Sequence, residues 1–228
     1  MNANPNEWFP LTQAQRRIWY MEMMHPGTSV ATIAGTKYIR GKVNVELLNQ
    51  AISLVIKQYD AFRIRIAMAD NQPMQHFVPQ EQVVPSVDYL EWDNRAEAES
   101  WLHRFNFTPI HIFDSKLYHF VVFNFNDEEF WFNVKMSHMI TDGISSHRIV
   151  NKVIENYIQL ANGEEPASNN ESTYLNYILS EREYEHSDRY AKDKAFWLDK
   201  FSTMPEVLGI KAIRLFPLVP KRSVQVSQ

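Results

Sequence analysis

Phe130-Trp131-Phe132-Asn133-Val134-Lys135-Met136-Ser137-His138-Met139-Ile140-Thr141-Asp142-Gly143 is the stretch on which the fold turns. Phe130, Phe132, Val134 and Met136 alternate with Trp131, Asn133 and Lys135. This period of two, in aromatic and branched residues, predicts a strand within a sheet. An imidazole, His138, stands where the strand ends, and an Asp-Gly pair follows four residues later. Beyond it Ile149, Val150, Val153, Ile154, Tyr157 and Ile158 recur at helical spacing, and Asn162-Gly163 closes that helix. A histidine lifted from a sheet edge and held by a tight turn can reach a substrate while its backbone stays fixed.

Upstream, Leu117 to Phe125 is a second strand, and the acidic turn Asn126-Asp127-Glu128-Glu129 joins the two as a hairpin. Thr12 and Gln15 form a T-x-x-Q capping box that starts a helix over 13–24, with Ala14, Ile18 and Met21 as its core stripe and Pro26-Gly27 as its stop. Thr28 to Arg40 reads as a strand broken at Gly35. Asn44 caps the next helix, whose apolar face is Leu47, Leu48, Ala51, Ile52, Val55, Ile56 and Tyr59. Ala61 to Ala67 alternates Phe62, Ile64 and Ile66 against Arg63 and Arg65, a strand with one charged face. Met74 to Val78 and Val83 to Tyr89 are short strands, and Arg95 to Phe107 is a helix. Ser172 to Phe201 is one long helix or two abutting ones, with Tyr174, Tyr177, Ile178, Tyr184, Phe196, Trp197 and Phe201 as packing contacts. Glu164 to Asn170 is a surface loop. The expected fold class is α/β (α+β), a two-layer sandwich of mixed sheet with helices packed on one side.

The chain has 228 residues, enough to bury a substantial core, and a net charge of −4 that argues against a nucleic-acid groove. It contains no cysteine, which removes disulfides, thiol nucleophiles and cysteine metal sites, and fits a reducing cytoplasm. Asn2 to Pro10 is polar apart from Trp8 and Phe9, unlike a signal peptide. No apolar run reaches membrane-spanning length. The expectation is a soluble cytoplasmic protein without nucleic-acid or membrane partners.

Each candidate site residue has an ordinary role beside the functional one. A histidine in apolar surroundings is commonly structural; the strand exit and the Thr141-Asp142-Gly143 turn favour chemistry at His138. Asp142 serves as a turn former or helix cap, or as the partner of an arginine, for which Arg63 on the charged strand face is the best candidate. Gly143 implies positive φ or close backbone approach. Gly143-Ile144-Ser145 lacks the second glycine of a nucleophile elbow. No phosphate-binding loop is present, and His103, His111, His119, His138 and His147 match no metal spacing, so no metal is expected.

Met136 to Ser145 resembles the H-H-x-x-x-D-G core of nonribosomal peptide synthetase condensation domains. Thr12-Gln13-Ala14-Gln15-Arg16-Arg17-Ile18-Trp19 resembles that family's opening S-x-A-Q-x-R-[LM]-[WY] motif, and Gln58-Tyr59-Asp60-Ala61-Phe62-Arg63 sits where the family has R-H-E-x-L-R. Tyr184 to Phe201, with Asp193 and Phe196-Trp197, resembles the helical segment ending the first of two lobes. The resemblance implies a chloramphenicol acetyltransferase-like lobe over 1–205, with 206–228 a tail or the start of a connection to a second lobe. The chain is then a fragment, whose active tunnel a C-terminal lobe completes.

By the same resemblance His138 is the catalytic histidine. Asp142, Arg63 and Ser137 support the site, Ser137 replacing the family's first histidine. Gly143 and Ser145 line the substrate channel. The Gln58-Tyr59-Asp60 variant, and an opening motif just after Met1, resemble the starter subtype, which N-acylates the first amino acid with a fatty, often 3-hydroxy, acyl group. No cofactor is expected to bind directly. Substrates arrive on phosphopantetheine, from a peptidyl carrier domain and from acyl-CoA or an acyl carrier protein. Two other readings stay open: a self-contained trimeric acetyltransferase of the chloramphenicol type, and a non-catalytic docking lobe.

Overall fold

In the computed structural model, residues 7–126, 128–167, 173–203 and 205 are described. The strands are β1 (Phe9–Pro10), β2 (Thr32–Arg40), β3 (Ile64–Ala69), β4 (Gln72–Phe77), β5 (Asp88–Glu91), β6 (Tyr118–Asn126) and β7 (Glu129–Ser137). The helices are α1 (Gln13–Met24), α2 (Val45–Gln58), α3 (Arg95–Phe107), α4 (Gly143–Ala161), α5 (Tyr174–Glu185) and α6 (Asp188–Lys200). Two compact units divide the chain, one up to Glu183 and one from Tyr184. The expected tail 206–228, residues 168–172 and Asp127 of the hairpin turn lie outside the described residues.

The first unit is built on two sheets. The larger has the order β2-β7-β6-β5, with β6 and β7 antiparallel and β5 parallel to β6, so it is mixed as expected. The smaller has the order β1-β4-β3, and its β3–β4 hairpin turns through Asp70 and Asn71, both at positive φ. After glycine, residues of short polar side chain tolerate that conformation best.

Phe130, Phe132, Val134 and Met136 project from β7 into the main core. There they meet Leu48, Ile52 and Val55 of α2 and Ile149 and Val153 of α4. The expected helix-covered face is this one. The alternate residues of β7 are buried as well, because α3 lies over part of the reverse face. Trp131 packs with Ala98, Leu102, Val121 and Phe123. Asn133 pairs its amide with Asn106 at 3.1 Å and accepts from Thr36 at 2.9 Å. Lys135 donates to the Phe105 carbonyl at 2.5 Å and stands over its ring. Burial lowers the Lys135 ammonium pKa from its ordinary value. The polar half of the alternation is thus satisfied internally rather than by water.

Several sequence expectations need correction. β2 runs unbroken through Gly35, which pairs with Val134 across the ladder. Asp60–Arg63 is a 3-10 turn, so the strand begins only at Ile64. Residues 83–87 are not strand, and β5 starts at Asp88. On α1 Ala14 is exposed; the buried residue is Gln15, flanked by Ile18 and Trp19 against the core. Of the two alternatives for 172–201, two abutting helices is the one found, with Ser187 capping α6. In that second unit Phe196, Trp197 and Phe201 are exposed rather than packed inside. They associate mainly with one another, Trp197 stacking on Phe201.

Candidate active site

β7 delivers His138 and α4 begins five residues later. The turn between them is held by main-chain bonds. The His138 N–H donates to the Ala31 carbonyl at 2.8 Å, which keeps the residue in line with the entry to β2. The Ser137 N–H donates to Leu117 at 2.9 Å, and Ile140 N–H returns to the Ser137 carbonyl at 3.1 Å. Ser137 is buried, and its Oγ accepts from Met139 N–H at 3.2 Å. A short hydroxyl suits this turn, since it reaches its own backbone two residues on. His138 is half-buried, its neighbours on both sides buried. That leaves His138 as the one residue of 136–140 that is not fully buried.

Asp142 is the N-cap of α4, and its Oδ1 accepts from Ser145 N–H at 2.6 Å. Its carboxyl pKa is held below the usual carboxylate value, first by the backbone hydrogen bond from Ser145, then by that residue's side chain. A smaller lowering comes from the charge of His138, so the carboxylate and the imidazole share a field. Replacing Asp142 with Ala should cost about 1 kcal/mol of stability, the usual worth of a lost N-cap. Asn, which caps as well, should cost little. Because the folded pKa is depressed, the contribution is complete above about pH 4, where the unfolded residue titrates. It is lost as pH falls through the folded value. Denaturation curves of both variants at neutral pH and at pH 3 check this: the Ala deficit should shrink only in acid.

The anticipated ion pair between Asp142 and Arg63 is not formed. Arg63 Nη1 donates to the Val78 carbonyl at 3.1 Å, and its guanidinium lies 5.8 Å from the Phe77 ring centroid. Because 60–63 coils into a 3-10 turn, Arg63 is not presented on a strand face. Its Nε is buried without a partner. Gly143 also differs from expectation. Positive φ is found at Gly27, Gly41 and Gly163 but not at Gly143, and a Cβ there would meet nothing within 4 Å. The lack of a side chain at Gly143 serves open space, not backbone geometry.

That space is a cavity of about 220 Å³ between β2, β7 and the start of α4. Ile33, Gly35, Val134, Met136, Gly143 and Val150 line its apolar part, with Thr36, Lys37, Ser146 and His147 as its polar part. A Cβ at Gly35 would likewise meet nothing within 4 Å, so two glycines hollow out one apolar slot. Ser145, expected in the same channel, lines a different cavity of about 280 Å³ with Asp60, Ile140 and Tyr174.

Asp60, named above only as part of the motif 58–63, has a structural role that the sequence did not reveal. It is buried, and its two oxygens accept from Tyr174 N–H at 2.7 Å and Leu175 N–H at 3.0 Å, capping α5 from 114 residues away. The Tyr174 hydroxyl is pushed up to about 12, chiefly by burial. Among the described residues no cluster of three or more histidine or carboxylate groups could hold a metal. No described helix is long and apolar enough to cross a membrane.

With the geometry in view, comparison with known proteins is informative. Surfactin synthase subunit 1 of Bacillus subtilis (strain 168) is 34% identical over 209 residues, covering 90% of this chain and 6% of that protein. Among solved structures, the starter condensation domain of the rhizomide synthetase RzmA superposes with a TM-score of 0.80 at 22% identity, over 88% of this chain and 49% of that one. A mutant of that domain in complex with C8-CoA gives 0.78, also at 22% identity, over 87% and 46%. The chain therefore spans about half of those structures and a small part of the synthetase subunit. Its fold is the expected chloramphenicol acetyltransferase-like lobe. The sequence profile of the condensation domain matches residues 6–214. Most of the length lies within that match, and the chain belongs to the condensation-domain family.

Proposed function

We propose that this chain is the N-terminal lobe of a starter condensation domain, which N-acylates a carrier-bound amino acid with a fatty, 3-hydroxy acyl thioester in lipopeptide synthesis. The observation that carries the reading is the half-buried His138 at the exit of β7, fixed by its N–H to Ala31 and adjoining the N-terminus of α4. The amine of the aminoacyl group attacks the thioester carbonyl, and His138 accepts the proton that the nitrogen loses. The tetrahedral intermediate collapses with cleavage of the C–S bond, and the departing thiolate is protonated. Gly143 opens α4, so its N–H has no carbonyl partner within the helix and suits a developing oxyanion. Ser137 shapes the turn, while Asp142 fixes the start of α4. Arg63 supports the site only indirectly, through the β3–β4 region.

Both substrates carry phosphopantetheine, one on a peptidyl carrier domain and the other on coenzyme A or an acyl carrier protein. Holding them together is the principal lever, able to supply about 7–11 kcal/mol. A second lobe would close the tunnel, and the isolated lobe is expected to be inactive. Similarity to a domain solved with C8-CoA supports the acyl donor. The slot lined by Gly35 and Gly143 is the proposed seat of the acyl chain. Incubating the complete synthetase with acyl-CoA and its aminoacylated carrier should add one acyl mass to the carrier by mass spectrometry. A carrier bearing only the amino acid would refute the reading.

The slot makes a separate prediction. Gly35→Leu should lower kcat/KM for a long-chain acyl-CoA about ten- to hundredfold while sparing a short one, the scale on which apolar pockets discriminate. Equal loss across chain lengths would place the acyl group elsewhere.

A further inference from the structure

Gln15 and Gln75 are 1% and 0% exposed, in an interior where an unpaired amide is costly. They pair reciprocally. Gln15 Nε2 donates to Gln75 Oε1 at 2.8 Å, and Gln75 Nε2 donates to Gln15 Oε1 at 2.7 Å. Gln75 Nε2 also donates to the Pro10 carbonyl at 3.0 Å, and Gln15 Oε1 also accepts from Thr12 N–H at 3.0 Å. The remaining donor of Gln15 goes to the carbonyl of Met139, the residue after His138, at 3.1 Å. A primary amide offers two donors and two acceptor lone pairs. All four are engaged at Gln15, so its plane cannot turn without breaking a buried bond.

The capping box explains the bond between Gln15 and Thr12, and strand pairing explains the position of Gln75 on β4. Neither requires an amide to reach a turn 124 residues away. Yet the reach is to the turn that carries His138. With His138 N–H on Ala31 and Met139 N–H on Ser137, this third bond holds the turn from the side of β1, α1 and β4. We infer that Gln15 and Gln75 are positioning residues, a buried amide clamp that fixes the 138–140 turn and thereby the aim of the His138 imidazole. The inference rests on the proposed role of His138 for its catalytic meaning, though not for its structural one.

The test uses Gln15→Met, Gln75→Met and, as a control, Thr12→Ala, which removes the α1 cap but leaves the amide pair in place. Histidine ring resonances of each are recorded by NMR in this chain, and kcat and KM are measured in the complete synthetase. Gln15→Met should shift and broaden the His138 ring signals alone among the histidines. It should lower kcat about a hundredfold with KM little changed, the scale of a misplaced catalytic group. Gln75→Met, which frees the Gln15 amide to rotate, should act in the same direction by about tenfold on that scale. Thr12→Ala should lower the melting temperature and leave both readouts alone. Unmoved His138 signals in either glutamine variant, or an equal kcat loss in Thr12→Ala, would overturn the clamp. Should Gln15→Met fail to fold, Gln75→Met decides by the same signals. If the unmodified synthetase forms no amide, the functional reading fails while the ring spectra still judge the clamp.

Discussion

His138→Ala in the complete synthetase should lower kcat for amide formation 10²–10⁴-fold, the usual span for a lost general base. KM for the acyl donor should stay nearly constant, because the proposed acyl slot is lined by Gly35, Val134, Met136 and Gly143 and not by His138. Stability should change little. The bond from residue 138 to Ala31 is made by the backbone and survives truncation of the side chain. The residual activity would measure what proximity alone achieves. Steady-state kinetics beside a thermal melt separate these effects. A variant that folds, binds donor and keeps its kcat would remove the imidazole from the chemistry.

Asp60→Ala should be the most damaging polar substitution for stability. Its carboxylate accepts two main-chain N–H groups of α5 at 2.7 and 3.0 Å, and the residue is buried. Truncation leaves two half-buried donors without their acceptor, at about 1–3 kcal/mol for each group left unsatisfied. For a chain of this size 1 kcal/mol corresponds to about 2–4 °C, so a fall of roughly 8 °C is expected. Asp60→Asn keeps one acceptor and should lose about half as much on the same basis. Calorimetric melts of both variants check this. A shift under about 1 °C for Asp60→Ala would mean that α5 is anchored by its apolar contacts, such as Ile178, and not by its cap.

These two residues show what the sequence made legible. His138 could be found because β7 and α4 are strongly periodic, and a turn between two such elements leaves little freedom. The spans of α1 and α2 were equally readable, since Thr12 and Asn44 cap them locally. Asp60 was visible as part of the motif 58–63, but its capping role was not, because its partners lie 114 and 115 residues away and no local pattern records them. Gln15 was read as a capping-box residue, but the burial of Gln15 and Gln75 was not foreseen: polar side chains count as surface in any hydrophobic pattern, and only their mutual pairing makes burial affordable. The same blindness moved the core stripe of α1 onto Ala14. Arg63 was misassigned because alternation in 61–67 looks like a strand, whereas its first three residues complete a 3-10 turn. The exposed Phe196, Trp197 and Phe201 mark the opposite failure, aromatic residues that pattern alone places inside.

The site is economical in what it asks of this chain. Backbone bonds fix one turn, a short hydroxyl and a helix cap shape its two ends, and two glycines leave an apolar slot beside it. What the arrangement requires is that a pantetheine-borne acyl group can come within reach of the imidazole. The most direct measurement is affinity labelling of the complete synthetase with an α-bromoacyl pantetheine, followed by peptide mass spectrometry. Alkylation is expected at His138, suppressed by competing acyl-CoA. Labelling confined to other histidines, with His138 unmodified, would contradict it.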